Sequence, residues 1–173
     1  SQVTGVDYPA GFAFTDATFT LDAVGNRTQV TAGASTSYTS NALNQYTAVG
    51  SASLIYDANG NLTSDGVNSY SYDAENRLIQ AVTPSTTTTY TYDPFGRRLS
   101  KTVSGVATRF LYDGDDLIAE TNATGGITAK YLFGPGIDEP LQGLSPQGTV
   151  PEWYYHSDGL GSITALTNAS GVV

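Results

Sequence analysis

Apolar and aromatic positions along this chain never keep the i, i+3, i+4, i+7 spacing of a helix face over three turns. They come in short runs, each stopped by Asp, Asn, Gly or Pro. Three stretches show this most plainly: Ile55-Tyr56-Asp57-Ala58-Asn59-Gly60-Asn61-Leu62, Ser71-Tyr72-Asp73-Ala74-Glu75-Asn76-Arg77-Leu78 and Thr91-Tyr92-Asp93-Pro94-Phe95-Gly96-Arg97-Arg98-Leu99. Each reads aromatic, Asp, two free positions, Gly or Asn, polar, Leu. The tyrosines stand 16 and 20 residues apart. Self-similarity at such a spacing predicts a repeat of small structural units.

The repeated tetrad has a physical reading. An Asp opening a four-residue turn accepts a hydrogen bond from the backbone two residues on. Pro suits the second position, and Gly the fourth. A type I turn followed by a left-handed residue closes a hairpin with a bulge, and Gly or Asn enters that region most cheaply. Gly60, Asn76 and Gly96 are therefore the expected left-handed residues, with Tyr and Leu on opposite arms. The same device is expected at Asp22 with Gly25, where Leu21 takes the tyrosine slot. It recurs at Asn41 with Asn44, and at Asp158 with Gly161. Tyr112-Asp113-Gly114-Asp115-Asp116 departs from it, since Asp116 stands where Gly should be. Further turn signals are Ala32-Gly33-Ala34, Asp65-Gly66-Val67-Asn68, Ser104-Gly105, Asn122–Gly125, Ser145–Gly148 and Asn168–Gly171.

The expected fold is all-β: an antiparallel meander of short hairpins. Residues 1–18 read as an irregular or edge-strand arm, 19–130 as repeat hairpins, and 131–173 as a segment continuing the sheet. Residues 134–152, with four prolines, are the longest irregular stretch.

Composition sharpens this picture. The chain has 173 residues, with 19 Gly, 12 Tyr and no Cys or Met, and 39% of residues are hydrophobic. A thin, tyrosine-rich core is expected. A net charge of −9 argues against nucleic acid and anionic membranes as partners. No apolar run approaches the ~20 residues of a membrane helix. Starting at Ser1-Gln2-Val3, the chain reads as an interior fragment of a larger polypeptide.

These motifs resemble the YD-repeat, or Rhs, family: bacterial Rhs polymorphic toxins, C subunits of insecticidal toxin complexes, and animal teneurins. Tyr56-Asp57, Tyr72-Asp73, Tyr92-Asp93 and Tyr112-Asp113 look like its signature dipeptides. Tyr131–Leu141 is similar to the segment ahead of the family's core, and Tyr154–Ser162 to a core-associated motif. The resemblance implies a β-sheet ribbon spiralling into a hollow shell that encloses a C-terminal effector. It also implies a secreted or bacterial cell-surface location. Some members cut themselves with paired aspartates in a later segment that this sequence does not contain, so cleavage is not carried over.

Candidate chemistry is sparse. His156, the one histidine, sits beside Ser157 and Asp158. Adjacent strand residues point to opposite faces, and no nucleophile elbow is present. Asp113, Asp115, Asp116 and Glu120 are dense in oxygen but lack EF-hand order. Arg27, Arg77, Arg97 and Arg98 follow the left-handed position and are expected at the surface with weak ion pairs. No catalytic, cofactor or metal residue is therefore assigned. The expected function is a non-catalytic structural module. Its partners are the rest of an Rhs-type polypeptide and its effector, or further copies joined by strand edges. The alternative is an adhesion module with exposed tyrosines contacting glycans.

Overall fold

A computed structural model describes residues 3–7, 15–136, 139–146 and 151–173. The aromatics of residues 8–14, and Gln147 and Gly148 of an expected turn, lie outside the described residues. The chain divides into two compact units, Ser1–Ser85 and Thr86–Val173. Every element among the described residues is a strand, and every pairing given below is antiparallel.

The first unit holds β1 (Gly5–Val6), β2 (Ala17–Leu21), β3 (Arg27–Ala32), β4 (Ala34–Ser40), β5 (Tyr46–Val49) and β6 (Ala52–Ser53), each paired with its successor. It continues with β7 (Ile55–Tyr56), β8 (Leu62–Ser64), β9 (Ser69–Tyr72) and β10 (Leu78–Val82), again paired in order. The expected meander is interrupted once, at Leu54. Its N–H still bonds the Thr47 carbonyl at 2.9 Å, whereas Ile55 and Tyr56 pair with β8 on the other side. One short extended segment thus serves as β6 towards β5 and as β7 towards β8.

The second unit is an eight-strand meander. Its strands are β11 (Thr87–Tyr92), β12 (Arg98–Val103), β13 (Val106–Asp113), β14 (Asp116–Asn122), β15 (Ile127–Phe133), β16 (Pro140–Leu144), β17 (Pro151–Ser157) and β18 (Ile163–Thr167). Its return turns shrink to two residues at Ser104-Gly105 and Gly114-Asp115. Val103 pairs with Val106, and Asp113 with Asp116. Such tight loops need a left-handed first residue, and Ser104 accordingly has φ 48° and Gly114 φ 58°. Gly50-Ser51 closes β5 onto β6 in the same way and is a turn that the tetrad pattern missed.

Cross-strand partners share a face, so register fixes what each face carries. In the second unit, Phe110 pairs with Glu120 and Glu120 with Ala129. Tyr131 pairs with Gly143 and Gly143 with Trp153. One face therefore collects aromatic pairs two residues apart: Tyr90 and Tyr92, Phe110 and Tyr112, Tyr131 and Phe133, Trp153 and Tyr155. All eight are half-buried. Among the described residues no side chain is fully buried, and Ala119 is the one buried apolar residue. The core is a layer of tyrosine rings on a sheet.

Candidate functional site: the turn and tyrosine lattice

The tetrads fold into one turn, built eight times among the described residues. The side-chain oxygen of Asp22, Asn41, Asp57, Asp73, Asp93, Asn122, Asp158 or Asn168 accepts the backbone N–H groups two and four residues on. All these bonds measure 2.8–3.1 Å. The backbone adds two bonds per turn: the opening N–H to the carbonyl four on, and the fourth N–H back to the opening carbonyl. The fourth residue is left-handed in each: Gly25 at φ 95°, Asn44 at 59°, Gly60 at 87°, Asn76 at 60°, Gly96 at 87°, Gly125 at 87°, Gly161 at 85° and Gly171 at 78°. A bulge accompanies it, seen as a register shift beside Leu21, Ser40, Tyr56, Tyr92, Thr121 and Ser157.

The second side-chain atom of the opening residue reads the fifth. Asp22 Oδ2 accepts Asn26 Nδ2, and Asp57 Oδ2 accepts Asn61 Nδ2, each at 3.0 Å. Asp73 and Asp93 accept Arg77 Nε and Arg97 Nε, each at 2.7 Å. Asn41 reverses the polarity: its Nδ2 donates to Gln45 Oε1 at 2.9 Å. In these five turns an opening acid goes with a donor and the opening amide with an acceptor. The arginines are thus clipped into the turn rather than loosely paired at the surface, and Asp93 is only 8% exposed. Asn26 and Asn61 amides, with the backbone N–H groups, hold the Asp22 and Asp57 carboxyls below the ordinary 3.8. Around Asp73 and Asp93 partial burial pushes upward, but the hydrogen bonds from Arg77 and Arg97 outweigh it and the net shift is down. Asp65 is held lowest of all, by the Asn68 backbone and amide and the Tyr70 hydroxyl at 2.7 Å.

Fifth residues also reach the next turn. Asn26 Nδ2 donates to Asn44 Oδ1 at 3.0 Å, and Asn61 Nδ2 to Asn76 Oδ1 at 2.8 Å. Arg97 Nη1 donates to the Gly114 carbonyl. Asn at the left-handed position is therefore an acceptor as well as a conformer.

Tyrosines make the second link. Tyr56 donates its hydroxyl to the Tyr46 carbonyl at 2.9 Å, Tyr72 to Leu62 at 3.0 Å and Tyr112 to Arg98 at 3.0 Å. The geometry is constant: the residue before one turn is stapled to the residue after the preceding turn. Tyr92 ends β11 directly before Asp93. Tyr56 and Tyr72 pair with Leu62 and Leu78 as the sequence suggests. The third unit differs: Tyr92 pairs with Arg98, and Leu99 falls one place beyond, 44% exposed. Counting from Asp93, Arg98 holds the leucine place, and its guanidinium lies 4.9 Å from the Tyr90 ring centre. Sequence reading also missed a second set of aromatics, Tyr70 in the first unit and Tyr90, Phe110, Tyr131 and Trp153 on one face of the second. Its signal is an aromatic two residues before Tyr72, Tyr92, Tyr112, Phe133 and Tyr155.

The remaining candidates do not converge. His156 Nε2 lies 2.8 Å from Thr167 Oγ1, while Ser157 pairs with Ile163 on the other face. Asp113 and Asp116 flank a two-residue turn that contains Asp115, and Glu120 lies up β14, where it accepts the Tyr131 hydroxyl at 2.9 Å. Among the described residues no group of three acidic or imidazole side chains is placed to hold a metal ion.

One turn, repeated, with its neighbour stapled on by a tyrosine, defines a structural repeat protein of stacked β-hairpins. The family model for the teneurin YD-shell matches residues 1–134, and the chain belongs to that YD-repeat family. Membership makes it a shell-building structural module. The tRNA3(Ser)-specific nuclease WapA of Bacillus spizizenii is 38% identical over 164 residues, covering 88% of this chain. The tRNA nuclease WapA of Bacillus subtilis matches to the same extent. This chain spans about 7% of the length of these curated relatives. A crystal structure of TcdB2-TccC3-TEV aligns with 90% of this chain and 11% of its own, at 15% identity and a TM-score of 0.47. A Photorhabdus luminescens Tc holotoxin pore aligns with 89% of this chain and 9% of its own, at 13% identity and a TM-score of 0.40.

Proposed function

We propose that this chain is a non-catalytic stretch of shell wall within a longer Rhs-type polypeptide, and that the wall encloses or presents a C-terminal effector. The carrying observation is the Tyr56, Tyr72 and Tyr112 staple, which makes each hairpin depend on its predecessor. Such a chain gains stability from neighbours and extends by adding units. In this reading the nuclease activity in the relatives' names resides outside the matched stretch, and the parent polypeptide is secreted or displayed at a bacterial surface. The turn residues Asp22, Gly25, Asn41, Asn44, Asp57, Gly60, Asp73, Asn76, Asp93, Gly96, Asp158 and Gly161 are its working parts, with Tyr56, Tyr72, Tyr92 and Tyr112. A glycan platform is disfavoured, because the Tyr56, Tyr72 and Tyr112 hydroxyls are committed to backbone carbonyls. Strand β18 at the sheet edge takes the next strand of the parent, or a second copy when the chain is alone.

Limited proteolysis of the full-length polypeptide tests this. The C-terminal segment should survive at protease doses that digest it when expressed alone. Equal digestion rates overturn enclosure.

A further inference from the structure

Glu120 brings a carboxylate to the aromatic face of the second unit. Its register partners are Phe110 and Ala129, so its carboxylate rises among rings. One oxygen accepts the Tyr131 hydroxyl at 2.9 Å. Burial and this carboxylate both push the Tyr131 phenol up, so Tyr131 stays a neutral donor. The nearest basic residues along the flanking strands are turned away. Arg109 pairs with Thr121 and Lys130 with Ala119, both on the opposite face. Lys101 shares the aromatic face but sits two strands away, between Tyr90 and Thr108. Among the described residues Glu120 has no ion-pair partner.

Beside it the face is open. A groove of about 370 Å³ is lined by Leu117, Tyr131, Phe133, Pro140 and Tyr155. Trp153 extends this wall: its indole lies over Gly143 and meets the Tyr131 ring at 6.4 Å and 63°. A half-buried carboxylate without a cation, set beside several ring faces, complements one chemistry: an organic cation whose alkyl stem lies on the rings.

We propose that Glu120, Tyr131, Trp153 and the adjoining groove form a seat for an arginine side chain of a polypeptide packed against this face. The guanidinium takes the free oxygen of Glu120 and stacks on the Tyr131 and Trp153 rings, and the stem fills the groove. Arginine suits the seat better than lysine, because its planar group stacks while donating. The proposal rests on the shell reading only for the source of that polypeptide.

Trp153 is the one tryptophan in the chain, so its emission reports the seat directly. The probe is the capped peptide acetyl-Gly-Arg-Gly-amide, titrated against the intact protein, with its citrulline analogue as the neutral isostere. A saturable change in Trp153 emission is expected with arginine, and affinity about tenfold weaker with citrulline. Glu120→Gln keeps an acceptor for Tyr131 and should weaken arginine binding by a similar factor, whereas Tyr131→Phe should retain the preference for arginine over citrulline. Equal responses to the two peptides, or unaltered arginine affinity in a folded Glu120→Gln protein, would overturn the seat. The arginine–citrulline comparison needs no variant and stands even if Glu120→Gln does not fold. Failure here leaves the proteolysis test of enclosure untouched, since that reads the full-length chain.

Discussion

At the scale of single residues, the turn is a five-residue object with two separable requirements. The first is a left-handed fourth position. A Cβ at Gly96 meets nothing within 4 Å, so Gly96→Ala is opposed by backbone strain alone. That strain is about 1 kcal/mol, or roughly 2–4 °C in Tm for a chain of this size. Gly96→Asn should stay near the parent Tm, because Asn44 and Asn76 already occupy this conformation. Thermal melts followed by circular dichroism compare the two directly. The second requirement is an acceptor at the opening position. Asp22, Asp57, Asp73 and Asp93 all sit below 3.8 in the folded chain. A depressed carboxyl binds fewer protons folded than unfolded. Its contribution is fully present above the unfolded value and is lost as pH falls through the lowered native one. Acid unfolding should therefore begin below about pH 4. Asp57→Asn retains the turn, as Asn41 demonstrates, with Asn61 turning its carbonyl inward as Gln45 does. Its Tm at pH 7 should move by only about 1–2 °C. Its stability should fall less steeply between pH 4 and pH 2. A slope matching the parent would show that the Asp57 carboxylate contributes nothing to acid sensitivity.

At the scale of elements, the staple and the aromatic layer decide which strands hold. Tyr72→Phe removes the hydroxyl bond to the Leu62 carbonyl while keeping the ring. A loss of about 1 kcal/mol is expected, measured by urea unfolding with an unchanged m-value. Gly143 is more demanding. A Cβ there would lie 1.9 Å from Trp153 Cε2, so Gly143→Ala must evict the indole. Loss of about 1–3 kcal/mol and a red shift of Trp153 emission should appear together. An unshifted spectrum would show that the indole does not rest on Gly143. The hairpins were legible in the sequence for a local reason: an Asx side chain bonding N–H groups two and four residues on needs nothing outside its own pentad. What lay beyond the pentad was not legible. Asn26 reaching Asn44, or Arg97 reaching Gly114, requires knowing which turn is next in space. The slip from Leu99 to Arg98 shows the limit of residue-type matching, since strand register counts positions from the turn and ignores which neighbour is apolar. Gly50-Ser51 carries only a glycine as its signal and lacks the Asx that marks the repeated tetrads.

Across the whole molecule, the consequence is that stability should be local rather than global. A domain with a central core transmits a lost contact to every strand, because all share the same buried side chains. Here no described side chain is fully buried, and the tyrosine staples run between consecutive hairpins. Nearest-neighbour coupling of this kind predicts graded unfolding rather than one cooperative step. Hydrogen exchange on Tyr112→Phe offers the cleanest measurement. Its hydroxyl ties β13 to the Arg98 carbonyl that opens β12, so amides of β11–β14 should lose about fivefold in protection, the share of a typical hydrogen bond. Amides of β2–β5 in the other unit should exchange at the parent rate. Uniform loss of protection over both units would mean that the chain unfolds as one body, and would remove the physical basis for reading it as a wall assembled unit by unit.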